Sequence, residues 1–117
     1  MKYFTDDEFK CNCGCGLDIS QNVKNVILEA RIMADIPFVI NSGARCLEHN
    51  RKIGSRDTSS HIRGLAVDIK ATTSREKYII YKALMNAGAT RFGINFDDGF
   101  IHFDLDREKP QLLMFGY

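Results

Sequence analysis

Ser59-Ser60-His61-Ile62-Arg63-Gly64-Leu65-Ala66-Val67-Asp68 carries the chain out of a polar loop and into an apolar strand, with a metal-ligating side chain on each side of that junction. Leu65-Ala66-Val67-Asp68-Ile69 alternates enough for one face to meet a core. Upstream, residues 46–60 are polar, with Gly54 and the run Ser55-Arg56-Asp57-Thr58-Ser59-Ser60. They read as a loop with at most a short helix around His49 to Ile53. A loop of that length in a small domain is more often functional than not. Further on, His102 stands in the middle of the β-prone run Phe100-Ile101-His102-Phe103-Asp104. Two histidines and one carboxylate form a three-ligand zinc set whose fourth tetrahedral position stays free for water. Such an open site is the catalytic form, in which the metal brings the pKa of its water to about 7 and polarises a bound carbonyl.

The segments around this junction predict an α+β domain. Val23, Val26, Ile27, Ala30, Met33 and Ala34 recur at helical spacing after Ser20, a natural N-cap, and Pro37 supplies a stop. Phe38-Val39-Ile40 reads as a strand, and Asn41-Ser42-Gly43 as the turn that bounds it. Ser74 is placed as the cap of a second helix to about Ala87, with Tyr78, Tyr81, Leu84 and Met85 on one side and Gly88 at its end. Phe92-Gly93-Ile94-Asn95 and the His102 run flank Phe96-Asp97-Asp98-Gly99, the pattern of a hairpin around an Asp-Gly turn. Residues 110–117 offer an edge strand. The order helix, strand, loop, strand, helix, hairpin describes a small antiparallel sheet with flanking helices.

Composition narrows the function classes. The chain has 117 residues with 16 Lys+Arg against 15 Asp+Glu, a formal net charge of +1 that argues against a dedicated nucleic-acid binder. At 44% hydrophobic and 26% charged it has the make-up of a folded globular domain. One domain, residues 1–117, is expected, because a chain of this size supports one core. No apolar run approaches the roughly 20 residues of a membrane span, and MKYFTDDEFK turns acidic where a signal peptide turns apolar. Cytoplasmic synthesis without a signal peptide, and no membrane partner, are the matching expectations. Cys11, Cys13, Cys15 and Cys46 are the compositional oddity. Alternate-residue spacing is poor for zinc, so buried thiols or one bridge to Cys46 are favoured over a metal site made of all four.

The S-x-H-x-x-G-x-A-x-D pattern of residues 59–68 resembles the signature of the zinc D-Ala-D-Ala carboxypeptidase and peptidoglycan endopeptidase family, peptidase family M15. Asn41-Ser42-Gly43-Ala44-Arg45-Cys46, with His49-Asn50 and Gly54, is similar to the family's S-G-x-R segment. Gly99-Phe100-Ile101-His102-Phe103-Asp104 is similar to its F-I-H-x-D segment, and Phe4 to Cys11 resemble the opening of small phage and bacterial members. The resemblance implies a hedgehog- and D-Ala-D-Ala-peptidase-like fold and one zinc ion per chain on His61, Asp68 and His102. It implies that Arg45 binds substrate and steadies the developing oxyanion, a role suited to a fixed, always-charged guanidinium. Ser59 is expected either to donate to a substrate carboxylate or to fix the loop. Gly64 and Ala66 are expected to let the backbone pass close to the metal.

Several branches of the family place a Glu or Asp three residues before the last zinc histidine, and here that position is Gly99. Asp104, which shares a strand face with His102, and Asp98 are the expected substitutes as general base, with Asp104 favoured; its alternative is to orient a ligand histidine. His49 is left outside the site. Phe92, Phe96, Phe100, Phe103, Tyr78 and Tyr81 are read either as core or as an aromatic wall beside substrate.

The implied activity is that of a zinc peptidase, carboxypeptidase or endopeptidase, acting as a monomer on a peptidoglycan stem peptide or cross-bridge. It would act at the cell wall, in the manner of a phage lysis enzyme released when the membrane is permeabilised. The alternative from the same resemblance is a non-catalytic zinc or wall-peptide module, as hedgehog-type domains illustrate, or a virion structural protein. The scissile bond is left open, since the same zinc chemistry attacks D-Ala-D-Ala, L-Ala-D-Glu and cross-bridge linkages alike.

Overall fold

The computed structural model describes residues 1–117. Helix α1 spans Gln21–Ala34, capped by Ser20, whose hydroxyl accepts from the Val23 amide. It ends at Asp35 in the left-handed region, two residues before Pro37 is reached. Strand β1 covers Ile40–Ser42, short helix α2 covers Leu47–Lys52, and a single 3-10 turn, Ser60–Arg63, precedes strand β2, Ala66–Lys70. Helix α3, Ser74–Asn86, is capped by Thr73 and not by Ser74, which is its first helical residue. Strands β3, Arg91–Asn95, and β4, Phe100–Asp104, form the expected hairpin, and β5 is Leu113–Gly116.

The five strands lie in the order β1-β2-β4-β3-β5. All pairs are antiparallel except β5 with β3, so the sheet is mixed and not purely antiparallel. The reason is geometric. β4 ends beside the start of β3, and residues 105–112 carry the chain past that end to the far edge, from which β5 must run alongside β3. β1 starts two residues after Phe38 and takes in Asn41 and Ser42, because Ile40 and Ser42 pair with Ile69 and Asp68. The turn read from Asn41-Ser42-Gly43 is therefore strand for two of its three residues.

Period-2 alternation sorts the strand residues onto two faces. Val67, Ile69, Ile101, Phe103 and Phe92 join Val23, Ile27, Ala30, Ile80, Ala83 and Leu84 in one buried apolar cluster under α1 and α3. The opposite face carries Asp68, His102, Asp104, Arg91 and Gly93, whose register pairs Asp68 with His102 and His102 with Gly93. The helical stripes are narrower than the sequence pattern: Met33, Tyr78 and Met85 are exposed, and α3 turns Ile80, Ala83 and Leu84 inward. Phe92 and Phe103 belong to the core, while Phe96 and Tyr78 stand in solvent, so those six aromatics form no common wall.

Candidate metal centre

Three elements deliver the ligands. The 3-10 turn presents His61, β2 presents Asp68 and β4 presents His102, and their ligand atoms all lie within 4.8 Å of one another. Asp68 and His102 meet because they are directly opposed in the β2–β4 ladder. His61 reaches the same point because its turn is tied down at both ends. Ser59 accepts from the His61 amide, and Gly64 closes the turn at φ +69. A Cβ on Gly64 would lie 2.6 Å from the Asp18 carbonyl oxygen, so glycine is required by that crossing backbone and by the positive φ. The backbone that presses on Gly64 is that of residues 18–19. Ala66, fully buried, faces Asp104 across the ladder.

The protonation pattern is set by the outer nitrogens. His61 Nδ1 lies 2.6 Å from the Gly43 carbonyl oxygen, to which it can only donate. His102 Nε2 lies 2.8 Å from Asp104 Oδ2 and donates there. Both assignments aim a lone pair inward, His61 Nε2 at 3.3 Å and His102 Nδ1 at 2.9 Å from Asp68 Oδ1. Two lone pairs and a carboxylate oxygen converging in a buried place repel unless a cation joins them, so the donor set fits zinc. Burial opposes the Asp68 charge, yet the two imidazoles beside it more than offset that and hold its carboxyl well below the usual range. Burial likewise opposes a charged His102, but Asp104 and Asp68 together raise its pKa.

Asp104 packs against the outer edge of the His102 ring. It is 1% exposed, and Oδ1 accepts from Arg91 Nε at 2.8 Å and from the Asp106 amide at 3.1 Å, while Oδ2 holds the outer nitrogen of His102. Every one of these contacts lies on the side of the ring away from Asp68. Asp98 is further off still, in the hairpin turn, where Asn95 binds both its amide and its carboxylate. Sharing a strand face with His102 puts Asp104 behind the ring, the position that the alternative role of orienting a ligand histidine requires, and the strand does not extend to Asp98.

Arg45 leaves β1 toward the site. Its Nη2 donates to Ser59 Oγ at 3.3 Å, and its Nε is buried without any partner. It pairs with neither Glu48 nor Asp57, the latter being bound by Arg51. Burial lowers the Arg45 pKa against the pull of Asp68. Ser59 accepts from both Arg45 and the His61 amide, which makes it a link between the two. Beside it, Ser60 bonds the fully buried Asp106 at 2.7 Å, and Arg63 also pairs with Asp106, anchoring the 3-10 turn to the segment after β4.

Two aromatic residues that the sequence reading passed over flank the centre. The Phe115 ring lies 5.7 Å from that of His102, and Tyr117 stacks edge-on against Phe100 at 5.1 Å. Any Cβ at position 93 would collide with the Phe115 ring, so Gly93 is what lets β5 lay that ring beside the ligand. The signal was the alternation Phe115-Gly116-Tyr117, which puts both rings on one face once β5 is paired. Burial, with the nearby Asp68 charge, pushes the Tyr117 pKa up, so its phenol remains a hydroxyl donor through neutral pH.

Comparison with known proteins bears on the same residues. A family model described as Peptidase M15 matches residues 2–104, a span that includes Arg45, Ser59 and all three ligands. No curated protein matches the chain. A match across nearly the whole chain, centred on a donor set fit for zinc, makes the protein a member of the peptidase M15 family and a zinc-dependent peptidase.

Proposed function

We propose that the protein hydrolyses a peptide bond of peptidoglycan, in the stem peptide or its cross-bridge, through the centre on His61, Asp68 and His102. The observation that carries this reading is the combination of a three-ligand donor set with a buried, unpartnered Arg45 Nε beside it. When bound there, zinc supplies an activated water and a Lewis acid for the scissile carbonyl. The residues of the chain supply the remainder. An orphaned buried N–H costs about 1–3 kcal/mol, which an arriving carbonyl or carboxylate oxygen recovers. Arg45 therefore binds the substrate acceptor and gains most where negative charge gathers. Ser59 holds the guanidinium in register, Asp104 fixes the His102 tautomer, and Phe115 with Tyr117 forms the aromatic side of the cleft.

The substrate class rests on the family, and its chemistry suits the site, since stem peptides present carboxylates to a fixed guanidinium. Residues 1–117 act in this reading as one domain and as a monomer on the wall, in the manner of a phage lysis enzyme. No helix is long and apolar enough to cross a membrane. With a net charge of +1, attachment to the anionic wall comes mainly from the cleft and is weak and insensitive to salt. Mass spectrometry of defined stem peptides and cross-linked dimers after digestion is the test. Cleavage at one peptide linkage is expected; intact wall peptides beside a cleaved unrelated peptide would overturn the substrate.

A further inference from the structure

The four cysteines, read from sequence as buried thiols or a single bridge, come together as a group. The sulfur atoms of Cys11, Cys13, Cys15 and Cys46 all lie within 4.8 Å of one another, and all four are free thiols. Cys11 and Cys13 sulfurs are 3.3 Å apart and those of Cys13 and Cys46 are 3.5 Å apart. Four thiolates around one zinc at about 2.3 Å stand about 3.8 Å from each other, which is the spacing this cluster brackets. Only Cys11 is buried, so hiding thiols in a core does not explain the arrangement.

The spacing objection fails because residues 11–16 are not a strand. In extended chain, alternate cysteines would be spread along one face about 6.8 Å apart. Here Gly14 at φ +84 and Gly16 at φ +88 curl the segment, the Gly14 amide bonds back to the Cys11 carbonyl, and the Cys11 amide closes the loop onto Leu17. Three sulfurs of a C-x-C-x-C run then point to one spot. Backbone amides face the sulfurs as well: that of Cys46 donates to Cys11 Sγ and that of His49 to Cys46 Sγ. Amide donors aimed at sulfur stabilise thiolates, and thiolates are what a soft, tetrahedral ion selects.

We propose that Cys11, Cys13, Cys15 and Cys46 bind a second zinc ion in a closed, non-catalytic site that fastens the N-terminal segment to the loop bearing Arg45. Four protein ligands leave no position for water, so the ion is structural. Its reach is specific. Cys46 follows Arg45 directly, and the same junction is bridged by the Ala44 amide on the Phe9 carbonyl and by the Arg45 amide on the His61 carbonyl. Fastening Cys46 therefore fixes the backbone from which Arg45 enters the cleft.

The test is metal content of protein purified anaerobically with zinc, for the wild type, His61→Ala/His102→Ala and Cys13→Ser/Cys46→Ser. Two zinc ions per chain are expected in the wild type and one in each double variant. Cobalt loading of His61→Ala/His102→Ala should give the intense near-ultraviolet thiolate-to-metal band, a readout that does not pass through the histidine centre and needs no cysteine variant to fold. Failure of peptidase activity would leave this result untouched. One zinc per wild-type chain, with four thiols reacting freely in the native protein, would overturn the proposal, as would a disulfide among these cysteines in the anaerobic preparation.

Discussion

Replacing Asp104 by Asn separates a positioning carboxylate from a general base. Asp104 offers two oxygens to three donors: Oδ2 to His102 Nε2 at 2.8 Å, Oδ1 to Arg91 Nε at 2.8 Å and to the Asp106 amide at 3.1 Å. An asparagine has one oxygen and one NH2. Two fixed donors, one of them charged, claim the oxygen, so the NH2 faces His102 Nε2. That nitrogen then must accept, and its proton moves to Nδ1, the atom aimed at the metal. Loss of such an outer partner typically weakens metal binding 10–100-fold, or about 1.4–2.7 kcal/mol. Competition against a chromophoric chelator, with His102→Ala as the blank, measures the shift. At saturating zinc, kcat should return to within a few-fold of the wild type. Unchanged zinc affinity with a collapsed kcat at saturating zinc would refute the reasoning and restore Asp104 as the proton carrier. Asp98→Asn, in the hairpin turn, should change neither quantity.

Other outcomes follow from the same geometry. Arg45→Lys keeps the charge but loses the guanidinium fork, so kcat/KM on stem peptide should fall by about 10²–10³ with zinc content unchanged. Gly93→Ala drives a methyl into the Phe115 ring and should destabilise the fold by about 1–3 kcal/mol, read as a lower Tm, with displaced β5 amide signals. Burial opposes the Asp106 charge, but Ser60, the Glu108 amide and Arg63 more than offset it, so its folded pKa lies below the unfolded value of about 3.9. That contribution is present above about pH 4 and is lost as pH falls through the folded pKa. The Tm should hold from neutrality to about pH 5 and drop below pH 4, and Asp106→Asn should flatten the drop.

The ligand set could be read from sequence because residues 59–68 and 99–104 resemble the family's motifs; strand pattern alone placed Asp68 and His102 but did not bring His61 to them. What the sequence withheld depends on non-local packing. The inward lone pair of His61 is fixed by the Gly43 carbonyl, eighteen residues upstream, and nothing local announces that contact. Asp104 and His102 were correctly put on one face, yet period-2 alternation does not say which ring nitrogen the carboxylate meets. Phe115 and Tyr117 border the centre only because β5 crosses to the far edge of β3, a pairing that a terminal apolar run leaves undetermined. Spacing alone did not announce that the four sulfurs converge, because spacing rules presume an extended or hairpin backbone and two glycines at positive φ curl this one. β1 was placed two residues early because its limits come from pairing with β2, not from its own apolar content.

The central claim, that zinc on His61, Asp68 and His102 performs the hydrolysis, meets its most direct test in cleavage of a defined stem peptide by wild type and His102→Ala. Both proteins are stripped with chelator and then given zinc. The wild type should lose activity on stripping and regain it with zinc, while His102→Ala stays inactive throughout. Equal cleavage by the variant, or by stripped wild type, would contradict the account.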